Sequence, residues 1–278
     1  MSAVLDDMDS RPGSTTSLLR TVIGLYLRDA GGWMSTQHLV VLMAALDVAP
    51  AITRTALSRL KKKGVVVPQV RHGAAGFVIT EGAAAMLARG DRRIFNPRSM
   101  SAGDRWCLVS FSIPEKEREK RHQLRRRLHW VGCGMVASGL WISPDFLRDE
   151  VEEILQDLGV RGKATMFTAD TPQVGGSLRE AAAAWWDLDA VSELHRDFIG
   201  RFASGQDPSA EASAETFATF VRCIDHWRTI PYLDPGLPPE FLPTDWPGAE
   251  GTNVFRRIVS ISSQPSREFV RSVAANST

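Results

Sequence analysis

Apolar and polar positions follow different rhythms in successive parts of this chain. From Thr16 to Arg28 the residues Leu18, Leu19, Val22, Ile23 and Leu25 form a wide apolar stripe, which predicts a helix stopped by Gly31-Gly32. Ser35 or Thr36 is placed to cap a second helix carrying Leu39, Leu42, Met43 and Leu46. A third helix is expected from Pro50, a favourable first helical residue, to Gly64, a favourable helix stop. Val65–Val67 and Phe77–Ile79 flank the turn-rich stretch Arg71–Gly76 and predict a β-hairpin with a flexible tip. An alanine-rich helix over Glu81–Arg89 ends before Asn96-Pro97. Three helices and then a hairpin, with a short turn at Asp47–Ala49, is the element order of a winged helix-turn-helix.

The rhythm changes after residue 98. Trp106–Ser112 alternates as a strand, and Pro114 opens a long charged helix reaching Trp130. Met135–Ala137 and Leu140–Ile142 are strand candidates meeting at Ser138-Gly139. Pro144 starts a helix ending at Gly159, and Ala164–Thr168 closes the segment as a strand. The order βαββαβ is that of a ferredoxin-like sandwich. Beyond Gly175-Gly176 the pattern is helical again, over Leu178–Trp186, Leu188–Phe202 and Ala214–Arg228. A proline-rich stretch spaced like a wrapping loop and a closing helix near Asn253–Ile258 complete the chain. The fold class expected is α+β and multidomain: a disordered 1–13, a winged helix-turn-helix over 14–98, a ferredoxin-like domain over 99–174 and a helical domain over 175–278.

Composition narrows the class. With 44% hydrophobic and 23% charged residues in 278, the balance is that of a globular protein of about two or three domains. No run approaches the roughly 18 apolar residues of a membrane span. The first ten residues carry three aspartates and no basic region, unlike a secretory signal. Three cysteines, Cys107, Cys133 and Cys223, form no CxxC pair. A cytoplasmic protein with free thiols is expected. The net charge of +1 hides an asymmetry: residues 1–98 carry 13 lysines and arginines against 7 acids, and the remaining 180 carry 20 against 25. A basic leading part points to a polyanion-binding module.

The third helix shows where that module acts. At about 100° per residue, Ile52, Ala56, Leu57 and Leu60 cluster on one side. Arg54, Thr55, Ser58, Lys61 and Lys62 fall opposite, with Thr53 and Arg59 at the boundary. An apolar inner face and an Arg/Thr/Ser/Lys outer face suit a helix in the major groove, where arginine pairs with guanine and hydroxyls or lysines take phosphates. Arg71 and His72 at the hairpin tip add a wing contact. The expected partner is double-stranded DNA.

Several separated blocks carry a resemblance. They are Arg54–Leu60 in the third helix, Trp106–Glu115, Gly139–Pro144, Trp186-Asp187-Leu188, Pro231–Glu240 and Asp245-Trp246-Pro247-Gly248. In this order they resemble the PaaX family, transcriptional repressors of aromatic-acid catabolism. The resemblance implies a winged-helix domain, a central Cas2-like ferredoxin fold used for dimerisation and a helical C-terminal domain. It also implies a homodimer on a palindromic operator, released by an aryl- or acyl-CoA thioester such as phenylacetyl-CoA, with no cofactor.

Other sites compete with this reading. The charged central helix, with Lys116, Arg118, Lys120, Arg121 and Arg125–Arg127 against Glu115, Glu117 and Glu119, fits a solvated salt-bridged helix, CoA phosphate binding or a second DNA contact. Cas2-like nucleases place acids at the end of the first strand; Ser110-Phe111-Ser112 offers no carboxylate there for a hard cation. His129 and Cys133 are four apart, yet Gly132 breaks that helix and no further ligand lies near, so no metal is expected. For an effector, Trp185, Trp186, His195, His226, Arg228 and Tyr232 supply aromatic surface with polar handles, although adjacent tryptophans are also ordinary core. The rival function is a CoA-thioester-acting enzyme with a vestigial DNA-binding domain. It lacks a nucleophile or acid at a telling spacing from His195 or His226, so no catalytic residue is expected.

Overall fold

The helix, turn and glycine signals of the first hundred residues shape a basic three-helix and hairpin assembly in the computed structural model, which describes residues 10–203 and 210–275. Of the stretch expected to lack order, residues 1–9 lie outside the described residues, whereas residues 10–13 are held. Gly13 donates its backbone N–H to Asp225 at 2.6 Å. Ser14 caps α1 (Thr15–Val22), which continues as a π-helical turn over Ile23–Leu27. A three-residue strand, β1 (Trp33–Ser35), precedes α2 (Thr36–Ala44) and was not foreseen. Ser35 ends that strand and caps the helix, accepting from the His38 N–H at 3.0 Å. α3 (Pro50–Lys62) has proline at its start and Gly64 at φ +71° just past its end.

β2 (Val66–Arg71) and β3 (Ala74–Ile79) extend the expected hairpin to its tip. Only His72 and Gly73 remain in the turn, both with positive φ, so the flexible tip is a tight two-residue reversal. Three strands lie in the order β1-β3-β2. Gly76 lets β1 approach closely: a Cβ there would sit 2.5 Å from the Met34 carbonyl and 2.6 Å from the Trp33 ring. α4 (Glu81–Phe95) runs six residues past the expected end, to the residue before Asn96-Pro97.

The central segment has the expected βαββαβ order: β4 (Trp106–Phe111), α5 (Arg118–Trp130), β5 (Gly134–Ala137), β6 (Leu140–Pro144), α6 (Arg148–Asp157) and β7 (Ala164–Ala169). The sheet is antiparallel in the order β5-β6-β4-β7. Its alternation sorts the side chains. Val109, Trp141 and Met166 share one face with Leu124 and Leu128 of α5 and Val151 and Leu155 of α6. Trp106 and Ile142 join a second cluster with Trp186, Phe241 and Leu242.

Then come α7 (Leu178–Trp185), α8 (Leu188–Phe202), α9 (Ala214–Trp227) and a single helical turn at Ile230–Leu233. α10 (Gly248–Ala275) is far longer than the short helix expected near Asn253–Ile258. Pro265 lies inside it, forfeiting one backbone hydrogen bond. The buried side chains Val254, Phe255, Ile258 and Val270 carry its apolar face across that point.

The division in space departs from the expected division along the chain. The described parts of Met1–Ile94, Phe198–Arg228 and Glu250–Thr278 form one compact unit. Phe95–Asp197 and Thr229–Ala249 form the other. Residues 175–278 are shared between the two units. α9 and most of α10 pack with the N-terminal helices: Phe217 lies against Tyr26 and Phe269, and Trp227 stacks on Phe255 at 4.6 Å. The Trp227 indole N–H reaches the Ile94 carbonyl at 3.0 Å.

Candidate nucleic-acid interface

α3 buries Thr53, Ala56, Leu57 and Leu60 against α1 and α2, an i, i+3, i+4, i+7 stripe. Three of the four are the expected inner residues, and Thr53 in place of Ile52 turns that face by about 25°. Thr53 is fully buried and leaves the set of groove-facing residues, while Ile52 is 52% exposed. At 100° per residue Thr53 falls between Leu57 and Leu60, in the middle of the apolar arc, and Ile52 falls at its edge. The Thr53 hydroxyl accommodates burial by donating to the Ala49 carbonyl at 3.3 Å.

Arg54, Thr55, Ser58, Arg59, Lys61 and Lys62 are all exposed. The Thr55 hydroxyl donates to the Ala51 carbonyl at 3.0 Å and keeps its lone pairs outward. Arg54, Arg59, Lys61 and Lys62 make no ion pair with any described residue. Unneutralised cations interleaved with hydroxyls on one helix face are the chemistry that binds phosphodiesters and base edges.

Arg71 and His72 stand at the hairpin tip as expected, but Arg71 is tied back. Its guanidinium donates to the Gln69 side chain at 2.8 Å and to the Gly31 carbonyl at 3.4 Å, and lies 5.9 Å from the Trp33 ring centroid.

A wall absent from the sequence reading stands beside α3. Residues 10–16 and the Ala51–Lys63 flank enclose an open cleft of about 890 Å³. The wall is held by a buried carboxylate contributed by α9. Asp225, fully buried, accepts from the Gly13 N–H, from the Ser17 hydroxyl and from the Thr21 hydroxyl at 2.9 Å. Arg228, also buried, donates to Asp225 at 3.3 Å, to Ser17 at 2.8 Å and to the Ser10 hydroxyl at 3.1 Å. A second clasp joins Arg222 of α9 to Asp47 at 2.6 Å, in the turn between α2 and α3 where Asp47 takes φ +63°.

The expected effector residues are divided between the two units. His226 and Arg228 belong to the first unit, and Trp185, Trp186, His195 and Tyr232 to the second. Arg228 is committed to the Asp225 cluster rather than turned to an outside phosphate. Trp186 is core, packed with Trp106 and donating its indole N–H to the Gly132 carbonyl at 2.9 Å. Trp185 is partly buried against that cluster, and Tyr232 is half-buried. His195, 1% exposed, pairs with Asp234 at 2.9 Å. His226 lies edge-on to Phe202. Burial pushes the Cys107 and Cys223 thiols up, and all three cysteines are free and buried. Among the described residues no cluster of three His, Cys, Asp or Glu is placed to hold a metal, and no helix is long and apolar enough to cross a membrane.

Comparison with known proteins places these features in a lineage. Residues 14–83 match the family model of the PaaX-like protein, 99–182 that of the PaaX protein central Cas2-like domain, and 186–272 that of the PaaX-like protein C-terminal domain. The transcriptional repressor PaaX of Escherichia coli K12 is 25% identical over 258 residues, covering 89% of this chain and 81% of that one. An uncharacterized protein from Mycobacterium tuberculosis superposes with a TM-score of 0.60 at 23% identity, over 91% of this chain and 97% of that one.

Proposed function

The chain belongs to the PaaX family of transcriptional repressors, and from that premise we propose that it is a cytoplasmic homodimer that represses an aromatic-acid catabolic operon of the phenylacetate type. In this reading the first three helices and the β2–β3 hairpin work as a winged helix-turn-helix, and α3 enters the major groove of each half of a palindromic operator. The observation that carries the proposal is the outer face of α3, where four exposed cations lack partners among the described residues beside the hydroxyls of Thr55 and Ser58. The βαββαβ segment, as a ferredoxin-like domain, supplies the dimer contact.

Release from DNA is assigned to phenylacetyl-CoA or a related thioester, as the family resemblance implies. The experiment is fluorescence anisotropy on the chain's own upstream promoter DNA, titrated with phenylacetyl-CoA and with free phenylacetate. Release by the thioester alone is expected. Tight binding that neither compound disturbs would discard phenylacetyl-CoA as inducer and keep the repressor. No binding to DNA would overturn the repressor.

A further inference from the structure

The cleft between residues 10–16 and α3 has no assigned occupant. We propose that it seats the phosphate backbone of one strand of the bound duplex, with Arg11 on the wall opposite α3 as a DNA contact. The inference rests on the repressor reading and adds to it a second jaw.

Charge is the first support. Arg11 lines one wall, Arg59 and Lys62 line the other, and no acid among the described residues lines the cleft. Arg11 is exposed, and its side chain pairs with no described acid. Hydroxyls of Ser14, Thr15 and Thr16 also line it, and phosphate oxygens accept from such groups.

Shape is the second. On the α3 flank the cations stand in the last turn, from Arg59 onward, and Arg11 stands on the other wall. From Ala51 to Lys63 that flank is about 18 Å long at 1.5 Å per residue. A B-DNA strand advances about 3.4 Å per phosphate along its axis, so several successive phosphates fit this length. The floor, formed by Ile52 and Ala56, is apolar and suits sugar edges. Ile52 is 52% exposed, a large apolar side chain left uncovered at this place.

Placement is the third. Around α3, Lys61, Arg54 and Ser58 lie on the flank away from the cleft, while Thr55, Arg59 and Lys62 lie toward it. One helix thus divides its tasks: Arg54 and Ser58 face base edges, and the cleft flank grips the backbone. The second wall is rigid because Gly13 and Ser17 are bound to the buried Asp225.

The test compares the wild-type chain with Arg11→Ala and Arg11→Lys on an operator duplex and an unrelated duplex of equal length, between 50 and 200 mM salt. Each phosphate contact contributes about 0.9 to the slope of log K against log salt. Arg11→Ala is expected to flatten that slope by about 0.9 per bound protomer while leaving the operator-to-unrelated affinity ratio unchanged, and Arg11→Lys to restore it. Arg11 is exposed and its side chain makes no hydrogen bond or ion pair with a described residue, so both variants are expected to melt with the wild type. A slope unchanged in Arg11→Ala, or a lost operator preference at constant slope, would overturn the backbone assignment while wild-type binding upholds the repressor. A wild-type chain that binds neither duplex would bring down the repressor reading and the cleft with it.

Discussion

α3 and α5 carry similar runs of cations and hold them in opposite ways. On α5 and its lead-in, Arg121 pairs with Glu115 at 2.6 Å and Lys120 with Glu117 at 3.4 Å. Arg125 donates to the Ser138 carbonyl at 2.6 Å, and Arg127 lies 3.7 Å from Asp157. Lys163 closes on Glu117, holding that carboxyl below the usual range. On α3, Arg54, Arg59, Lys61 and Lys62 have no partner among the described residues. The number of positive charges does not separate the two helices; their neutralisation does. An exposed pair in water contributes about 0–1 kcal/mol and leaves little field for a partner. Unpaired cations keep their field, and release counterions when a polyanion docks.

Arg228 is a third case, a cation both buried and paired, and it offers the harshest way to break the comparison. Asp225→Ala leaves that guanidinium without its carboxylate and also strips an acceptor from Ser17, Thr21 and Gly13. Removing one partner of a buried pair costs about 3–5 kcal/mol. Urea unfolding is expected to show a loss of that order, and a change under 1 kcal/mol would show that the cluster does not hold the N-terminal unit together. At the gentle end, Arg121→Ala removes an exposed pair. A stability change within about 1 kcal/mol is expected, with operator affinity unchanged within about twofold. A tenfold loss of affinity would make α5 a DNA contact and erase the contrast with α3.

Local signals in the chain were read well where one residue decides the geometry. Ser35 capped its helix, Pro50 opened α3, and the βαββαβ order followed from alternation and turn residues. Errors arose where burial is settled by more distant packing. Thr53, polar, is expected at the boundary of the DNA-facing side, yet a threonine that satisfies its hydroxyl on the preceding turn fits an apolar arc. Arg228 looked like a handle for phosphate because its partners Ser10 and Ser17 lie more than 200 positions away in the chain. The same separation hides the clasp of α9 on α1 and on the turn before α3. α10 extends past the short helix expected near Asn253–Ile258 and through Pro265, its apolar face buried on both sides of that residue. The cleft beside α3 was invisible for a related reason: its second wall, residues 10–13, has no secondary-structure pattern and is fixed by side chains from another part of the chain.

The central claim is that the outer face of α3 reads DNA, and the double variant Arg54→Ala, Ser58→Ala tests it most directly. Operator affinity would be measured by anisotropy at fixed salt beside the wild type and Arg121→Ala. A good arginine–base contact carries about 1–3 kcal/mol of discrimination, so the double variant is expected to lose at least about tenfold in operator affinity while its melting and its oligomeric state remain those of the wild type. Unchanged affinity in that folded variant would contradict the assignment of this face to DNA.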